Sequence, residues 1–173
     1  MIDLANANGA AALFLAFLIV QRLSELVIAR RNTARLLAQG AHEVGADHYK
    51  WMVALHTAWI VALVFFGIGQ PVHLEWLAVF VVLQLLRVWI LVTLGGRWTT
   101  RIIVLPEAPV VAGPFRYLRH PNYWLVIAEI VVAPLVLGLT GVALLFSVLN
   151  GWMLSVRISE EEAALAPLRA KDT

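Results

Sequence analysis

The chain has 173 residues, 61% of them hydrophobic and only 14% charged, with a mean hydropathy of +0.83. Soluble domains hold roughly 45–50% apolar and about 25% charged residues, so a soluble fold of this length has no means of hiding so much apolar surface. There is no cysteine, which excludes disulfides, zinc–thiolate sites and thiol nucleophiles and leaves His, Arg, Glu, Tyr and Asn for any chemistry.

Taken in order, apolar runs predict membrane helices over residues 10–29, 51–68, 74–94, 123–137 and 142–156. The first is read as a retained helix and not a cleaved leader. Met1-Ile2-Asp3 has no basic region, and the span runs into Gln21-Arg22 without a small-residue cleavage site. Gly67-Ile68-Gly69-Gln70-Pro71 and Leu137-Gly138-Leu139-Thr140-Gly141 read as tight reversals, because Gly supplies the backbone freedom a sharp helix–helix turn needs. The expectation is an all-α polytopic membrane protein of about five transmembrane helices. Residues 1–94 hold three helices and a cytoplasmic loop. Residues 95–173 hold a polar loop, a helical hairpin and a polar C-terminal segment that together form the functional core.

Orientation follows from the basic residues, which are retained on the cytoplasmic side of membranes. With five spans, Arg30, Arg31, Arg35 and Lys50 share one side with Arg97, Arg101, Arg116 and Arg119 and with Arg157, Arg169 and Lys171. The N-terminus and the two Gly-containing turns carry no Lys or Arg. This places the N-terminus outside and the C-terminus in the cytoplasm. The same asymmetry accounts for a formal net charge of +2 and a pI near 9.4, which therefore do not indicate a nucleic-acid partner.

The loop from Gly95 to Asn122 is rich in anion-binding and hydrogen-bonding groups, and the hairpin brings Arg119-His120-Pro121-Asn122-Tyr123 beside Arg157-Ile158-Ser159-Glu160-Glu161-Glu162. One polar site at the mouth of an apolar bundle results, suited to one charged and one greasy reactant. Within the spans, Glu129, Asn150, His56, Gln84 and Arg87 stand among apolar residues, where an ionisable or strongly polar group marks a site or a pairing. Glu129 and Asn150 are the candidates for contact with an acceptor, and Glu129 is close enough to the mouth to hold a cationic group or an Arg. His56 and Gln84 read as interhelical hydrogen bonds, and Arg22 with Glu25, spaced i,i+3, as a local pair. His42 and His48 flank Glu43 and Asp47 in no familiar ligand spacing, so no metal site is expected. Gly67-Ile68-Gly69 lacks the third glycine and the strand of a dinucleotide motif, and hydrolase and ATPase signatures are absent.

The run Gly113-Pro114-Phe115-Arg116-Tyr117-Leu118-Arg119-His120-Pro121-Asn122-Tyr123, with Arg157 and Glu161-Glu162 beyond the hairpin, resembles the isoprenylcysteine carboxyl methyltransferase family and the related membrane phospholipid methyltransferases. Phe115 stands where Tyr is commoner. Gln21-Arg22-Leu23-Ser24-Glu25-Leu26, Arg31-Asn32, Gly40-Ala41, His48-Tyr49 and Leu55-His56 resemble a small bacterial branch, some of whose members O-methylate alkylpyrones or alkylresorcinols. The resemblance implies an S-adenosylmethionine-dependent methyltransferase acting on a lipophilic or lipid acceptor. By residue, it implies that Gly113, Arg119, His120, Pro121 and Tyr123 line the cofactor and that Glu161 holds its charged amino acid end. It sets Arg157 and Glu162 nearest the acceptor, with Glu162 or His120 as base for a phenol or enol. A carboxylate acceptor needs no base, and Arg157 alone would orient it. The choice among a prenylcysteine carboxylate, a phenolic or pyrone lipid and a phospholipid amine stays open at this point, as do the oligomeric state and the rival class of a non-enzymatic small membrane protein whose charges are topogenic and structural.

Overall fold

The computed structural model describes residues 4–105, 112–118 and 120–169, without the side chains of residues 4–8, 165 and 167–169. Five helices follow one another: α1 (Leu4–Ala38), α2 (Ala46–Gly67), α3 (Leu74–Leu94), α4 (Pro121–Val136) and α5 (Thr140–Arg169). Four of them are long and apolar enough to cross a membrane, and α4 is a shorter apolar helix. At 16 residues α4 spans about 24 Å, somewhat less than a hydrocarbon core of about 30 Å.

Two helices outrun their apolar stretches. α1 continues past residue 29 to Ala38 because Arg30, Arg31, Arg35 and Leu36 are strong helix formers. It stops before Gly40, whose φ of 91° breaks the helix. α5 likewise continues beyond residue 156 through Glu160-Glu161-Glu162-Ala163-Ala164. The acidic run therefore rides on a helix and is held rigidly. α4 begins two residues before the predicted start, with Pro121 in its first turn, where the missing N–H has no helical partner to lose.

The surface is inverted relative to a soluble protein. Leu13, Phe17, Phe65, Val82, Val92, Leu144 and Val148 are exposed, whereas Glu25, Arg87, Glu129, Asn150 and Arg157 are buried. That distribution suits a chain solvated by lipid along its flanks. Inside, Trp59 and Leu63 of α2, Phe80 of α3, and Ile130, Val136 and Leu137 at α4 pack with Phe14 and Leu18 of α1.

The ends of the bundle are distinct. At one, both predicted reversals meet: His73 N–H donates to the Val136 carbonyl at 2.9 Å. A Cβ added to Gly67 would lie 2.6 Å from Leu137 Cδ1, so the two turns are in close contact here. At the other end an element appears that the sequence reading did not contain. β1 (His42–Val44) pairs antiparallel with β2 (Ile102–Val104), in the register His42↔Val104, Glu43↔Ile103 and Val44↔Ile102. This ribbon ties the α1–α2 connection to the α3–α4 connection, on the side where α5 carries its acidic run.

Candidate active site

The buried polar groups fall into three zones. The deepest is an ionic network joining α1, α3 and α4. Glu129, 0% exposed, accepts from Arg87 Nε at 2.8 Å, from Arg87 Nη2, from Arg22 Nη2 at 2.7 Å and from Gln84 Nε2 at 2.9 Å. Glu25 accepts from Arg87 Nη1 at 2.8 Å, from Arg22 Nη1 at 3.4 Å and from Gln21 Nε2 at 3.0 Å. Two guanidinium groups thus face two carboxylates, which makes the network neutral as a whole and tolerable away from water.

Above it lies a chamber of about 320 Å³. Leu23 and Leu26 of α1 and Val53 and Ile60 of α2 give it an apolar wall, and Trp98, Thr100, Tyr123, Asn150 and Arg157 give it polar and aromatic groups. The 95–98 turn that carries Trp98 is held to α1, because Asn32 Nδ2 donates to the Trp98 carbonyl at 2.8 Å. Arg157, two helical turns along α5 from Asn150, is 5% exposed. It donates to the Thr100 carbonyl at 2.9 Å, to Met52 Sδ at 3.1 Å and, at a long 3.4 Å, to Tyr123 Oη. All three partners are uncharged. Among the described residues no carboxylate lies within ion-pair distance of this guanidinium, and a buried cation without a counter-ion is an anion-binding group.

The third zone lies beyond Tyr123. Tyr123 donates its hydroxyl to Glu161 Oε2, and its ring stacks on His120 at 5.3 Å. His120 Nε2 is 2.9 Å from Glu162 Oε1, and Nδ1 is 3.8 Å from Glu161 Oε1. Both carboxylates stay partly exposed, with 25% and 34% of their side-chain surface accessible. Nearby, Arg101 Nη1 is 2.7 Å from Glu43 Oε2, with its guanidinium over the Tyr49 ring at 4.4 Å. The Glu43 hydrogen bond, opposed by partial burial and aided by charge, holds Arg101 above its ordinary pKa and fastens the ribbon beside the site.

The expected site residues divide between these zones. Arg157, Tyr123 and Asn150 line the chamber, and His120, Glu161 and Glu162 form the cluster on the far side of Tyr123. Glu162 is engaged by His120 and does not line the chamber. Pro121 is buried in the first turn of α4. Glu129 does hold Arg residues, but it sits in the ionic network and not on the chamber wall. Gly113 has φ +52°, and a Cβ there would lie 2.5 Å from Thr93 Oγ1 and 3.2 Å from Trp89 Nε1. Its positive φ favours glycine, and the Thr93 and Trp89 side chains of α3 crowd the position as well. Arg119 lies outside the described residues. Arg22 pairs with Glu25 as expected but reaches Glu129 more closely. Gln84 makes the interhelical bonds expected of it. His56 does not: its Nδ1 is 2.9 Å from the Met52 carbonyl of its own helix, and its ring lines the chamber. Met52, His56, Trp98 and Thr100 also line the chamber; Trp98 and Thr100 belong to the polar loop the sequence marked out, His56 stood out as a histidine in an apolar span and in the Leu55-His56 pair, and Met52 alone had no signal.

Residues 76–167 match the model of the "Isoprenylcysteine carboxyl methyltransferase (ICMT) family". The match takes in most of α3, the loop with Gly113, α4, nearly all of α5 and the Glu161-Glu162 pair. The chain is 37% identical over 165 residues to a Bacillus subtilis (strain 168) protein named "Uncharacterized protein YpbQ", covering 92% of this chain and 98% of that one. It is 28% identical over 157 residues to an "Uncharacterized protein" of Haemophilus influenzae (strain ATCC 51907 / DSM 11121 / KW20 / Rd), covering 87% and 91%. No solved structure matches it. With more than half its length matched by that model, the chain belongs to the isoprenylcysteine carboxyl methyltransferase family.

Proposed function

We propose that the protein is an integral membrane methyltransferase that uses S-adenosylmethionine to methylate an oxygen of a lipophilic acceptor. The observation that carries this reading is Arg157, a buried guanidinium without a carboxylate partner among the described residues, set between a polar, partly exposed cluster and an apolar chamber.

The cluster fits the cofactor's chemistry. Glu161 and Glu162 offer carboxylates to an ammonium group, beside the stacked rings of His120 and Tyr123. When bound, the cofactor supplies a methyl group activated by a sulfonium. The chain's own residues then hold, align and dry the acceptor: Arg157 faces its oxygen, and the apolar wall excludes water. Leu23, Val53 and Thr57 are both chamber-lining and exposed on the flanks of α1 and α2. An apolar chain therefore reaches the chamber sideways from the bilayer, while the soluble reactant enters from the end that carries the ribbon. We place that end in the cytoplasm, with the N-terminus outside, in a bacterial inner membrane.

Acceptors that suit the chamber are an isoprenylcysteine-like carboxylate and a long-chain alkylpyrone or alkylresorcinol. A phospholipid amine suits it less, because its ammonium group would meet Arg157 without a free carboxylate on the chamber wall. The test is transfer of label from methyl-labelled S-adenosylmethionine into a membrane lipid extract by the purified protein, paired with calorimetry of cofactor binding. His120→Ala and Glu161→Ala are expected to weaken binding at least about tenfold, each losing one charge-assisted contact. Absence of both transfer and cofactor binding in the wild type would return the cluster to a purely topogenic role.

A further inference from the structure

We infer that an anionic phospholipid seats its phosphate in a second pocket, between the ends of α1 and α3, against Arg35 and Gln39.

This pocket has a volume of about 330 Å³ and is lined by Arg35 and Gln39 of α1, by Thr93 and Leu94 of α3, and by Gly96 and Arg97 of the turn that follows. It shares no described residue with the chamber, and so stands apart from the methyl-transfer reading. The Thr93 hydroxyl is spent on the Trp89 carbonyl at 2.8 Å. What remains on the wall is two guanidinium groups and an amide, and no carboxylate lines it among the described residues. Guanidinium N–H groups can only donate, so the pocket asks for an acceptor, and a charged one above all.

Gly96 sets the Arg35 guanidinium in place. A Cβ there would run into Arg35 Nη2 and lie 2.6 Å from its Cζ and 2.9 Å from its Nη1. The guanidinium therefore rests where a side chain would otherwise stand. Asn32, three residues earlier, fastens the same turn to α1 through the Gly95 and Trp98 carbonyls at 3.3 and 2.8 Å. Arg35 also offsets the negative end of α1, in whose last turn it lies. That role tolerates many rotamers, whereas the seat over Gly96 selects one. Among the described residues, no hydrogen bond or ion pair engages the Arg35 guanidinium or the Gln39 side-chain amide.

Depth identifies the occupant. The candidate spans Gly9–Ala38 and Leu74–Arg97 both end at this pocket, which puts it at the level of the lipid headgroups. Ile28, two turns before Arg35 on the same side of α1, and Val92, near the end of α3, are exposed apolar residues on the bilayer side of it. Acyl chains lie along these flanks while two phosphate oxygens accept from the guanidinium fork. A zwitterionic headgroup suits the site less, because its ammonium group would meet the same guanidinium groups.

The probe is phosphatidylglycerol, offered with an equal amount of phosphatidylcholine of the same acyl chains to the protein in neutral-detergent micelles. Retained lipid is counted by native mass spectrometry. Expected is a preference for phosphatidylglycerol that falls about fivefold in Arg35→Gln. The preference is expected to hold in Arg30→Gln, which removes the same charge from a part of α1 outside the pocket. Gly96→Ala keeps every charge, and it is expected to fold, because what gives way is the far end of a flexible side chain. With circular dichroism as the fold control, it is expected to lose the preference as Arg35→Gln does. Equal losses in Arg30→Gln and Arg35→Gln would reduce the site to diffuse attraction between basic residues and anionic lipid, and overturn it. A wild type without the preference, or an undiminished one in Arg35→Gln or Gly96→Ala, overturns it too. If inorganic phosphate strips phosphatidylglycerol from the wild type where chloride of equal ionic strength does not, the occupant is free phosphate and the lipid assignment fails.

Discussion

Glu129→Gln is the sharpest test of how the bundle is held together. In the wild type, Arg22 and Arg87 face Glu25 and Glu129, and the buried charge sums to zero. The substitution keeps the shape but leaves two guanidinium groups with one carboxylate, at a position 0% exposed. Removing one partner of a buried ion pair costs about 3–5 kcal/mol, and Glu129 accepts three hydrogen bonds from arginines as well as one from Gln84, so about 4 kcal/mol is expected. Arg87→Gln alone is expected to cost a similar amount. The double variant returns the sum to zero, with Arg22 and Glu25 left as a pair, and is expected to cost no more than either single variant plus about 1–2 kcal/mol. The assay is unfolding in mixed micelles of rising denaturing-detergent fraction, followed by tryptophan fluorescence. Single variants costing less than about 1 kcal/mol, or a double variant at the full sum, would refute the argument that charge balance stabilises this network.

Arg157→Lys is expected to lower turnover at least about tenfold while cofactor affinity holds within about twofold, because Lys keeps the charge but loses the planar fork that orients an oxygen; steady-state kinetics with calorimetry checks it. Gly113→Ala is expected to destabilise by about 1–3 kcal/mol through its positive φ and the crowding by Thr93, and Thr93→Ala to restore only the part due to crowding; thermal unfolding in detergent reads both. Reporter fusions are expected to place the two ends on opposite sides of the membrane, with the C-terminus cytoplasmic; both ends on one side would remove the five-span count.

Helix positions were legible because lipid imposes a simple rule: backbone must be satisfied internally and flanks must be apolar. Hydropathy, however, reports the solvent and not the helix. It stopped at residue 29 where α1 runs on to Ala38, and at residue 156 where α5 runs on to Arg169. The start of α4 at Pro121 was readable from proline's place in a first helical turn. The ribbon was not, since three-residue strands nearly sixty residues apart carry almost no local signal, although Ile102-Ile103-Val104 is a β-branched run. The polar mouth followed from hairpin geometry alone. What no local pattern could give was the partner of each buried charge. Arg22 had a carboxylate one turn away, yet it also bonds Glu129, 107 residues distant and at the shorter distance. His56 was visible as an oddity, but its use of its own helix's carbonyl could be learned only from the ring's orientation.

The family match opens at residue 76, inside α3, and so leaves α1 and α2 outside. His120, Tyr123, Glu161 and Glu162 fall within it, whereas Leu23, Met52, Val53, His56 and Ile60 on the chamber wall fall before it. The chamber is therefore a joint construction: Trp98, Tyr123, Asn150 and Arg157 come from the matched stretch, and α1 and α2 close the wall from outside it. On the proposed reading, in which the acceptor lies in this chamber, exchanging residues 4–67 between relatives alters the wall the acceptor meets while the His120, Tyr123, Glu161 and Glu162 cluster stays in place.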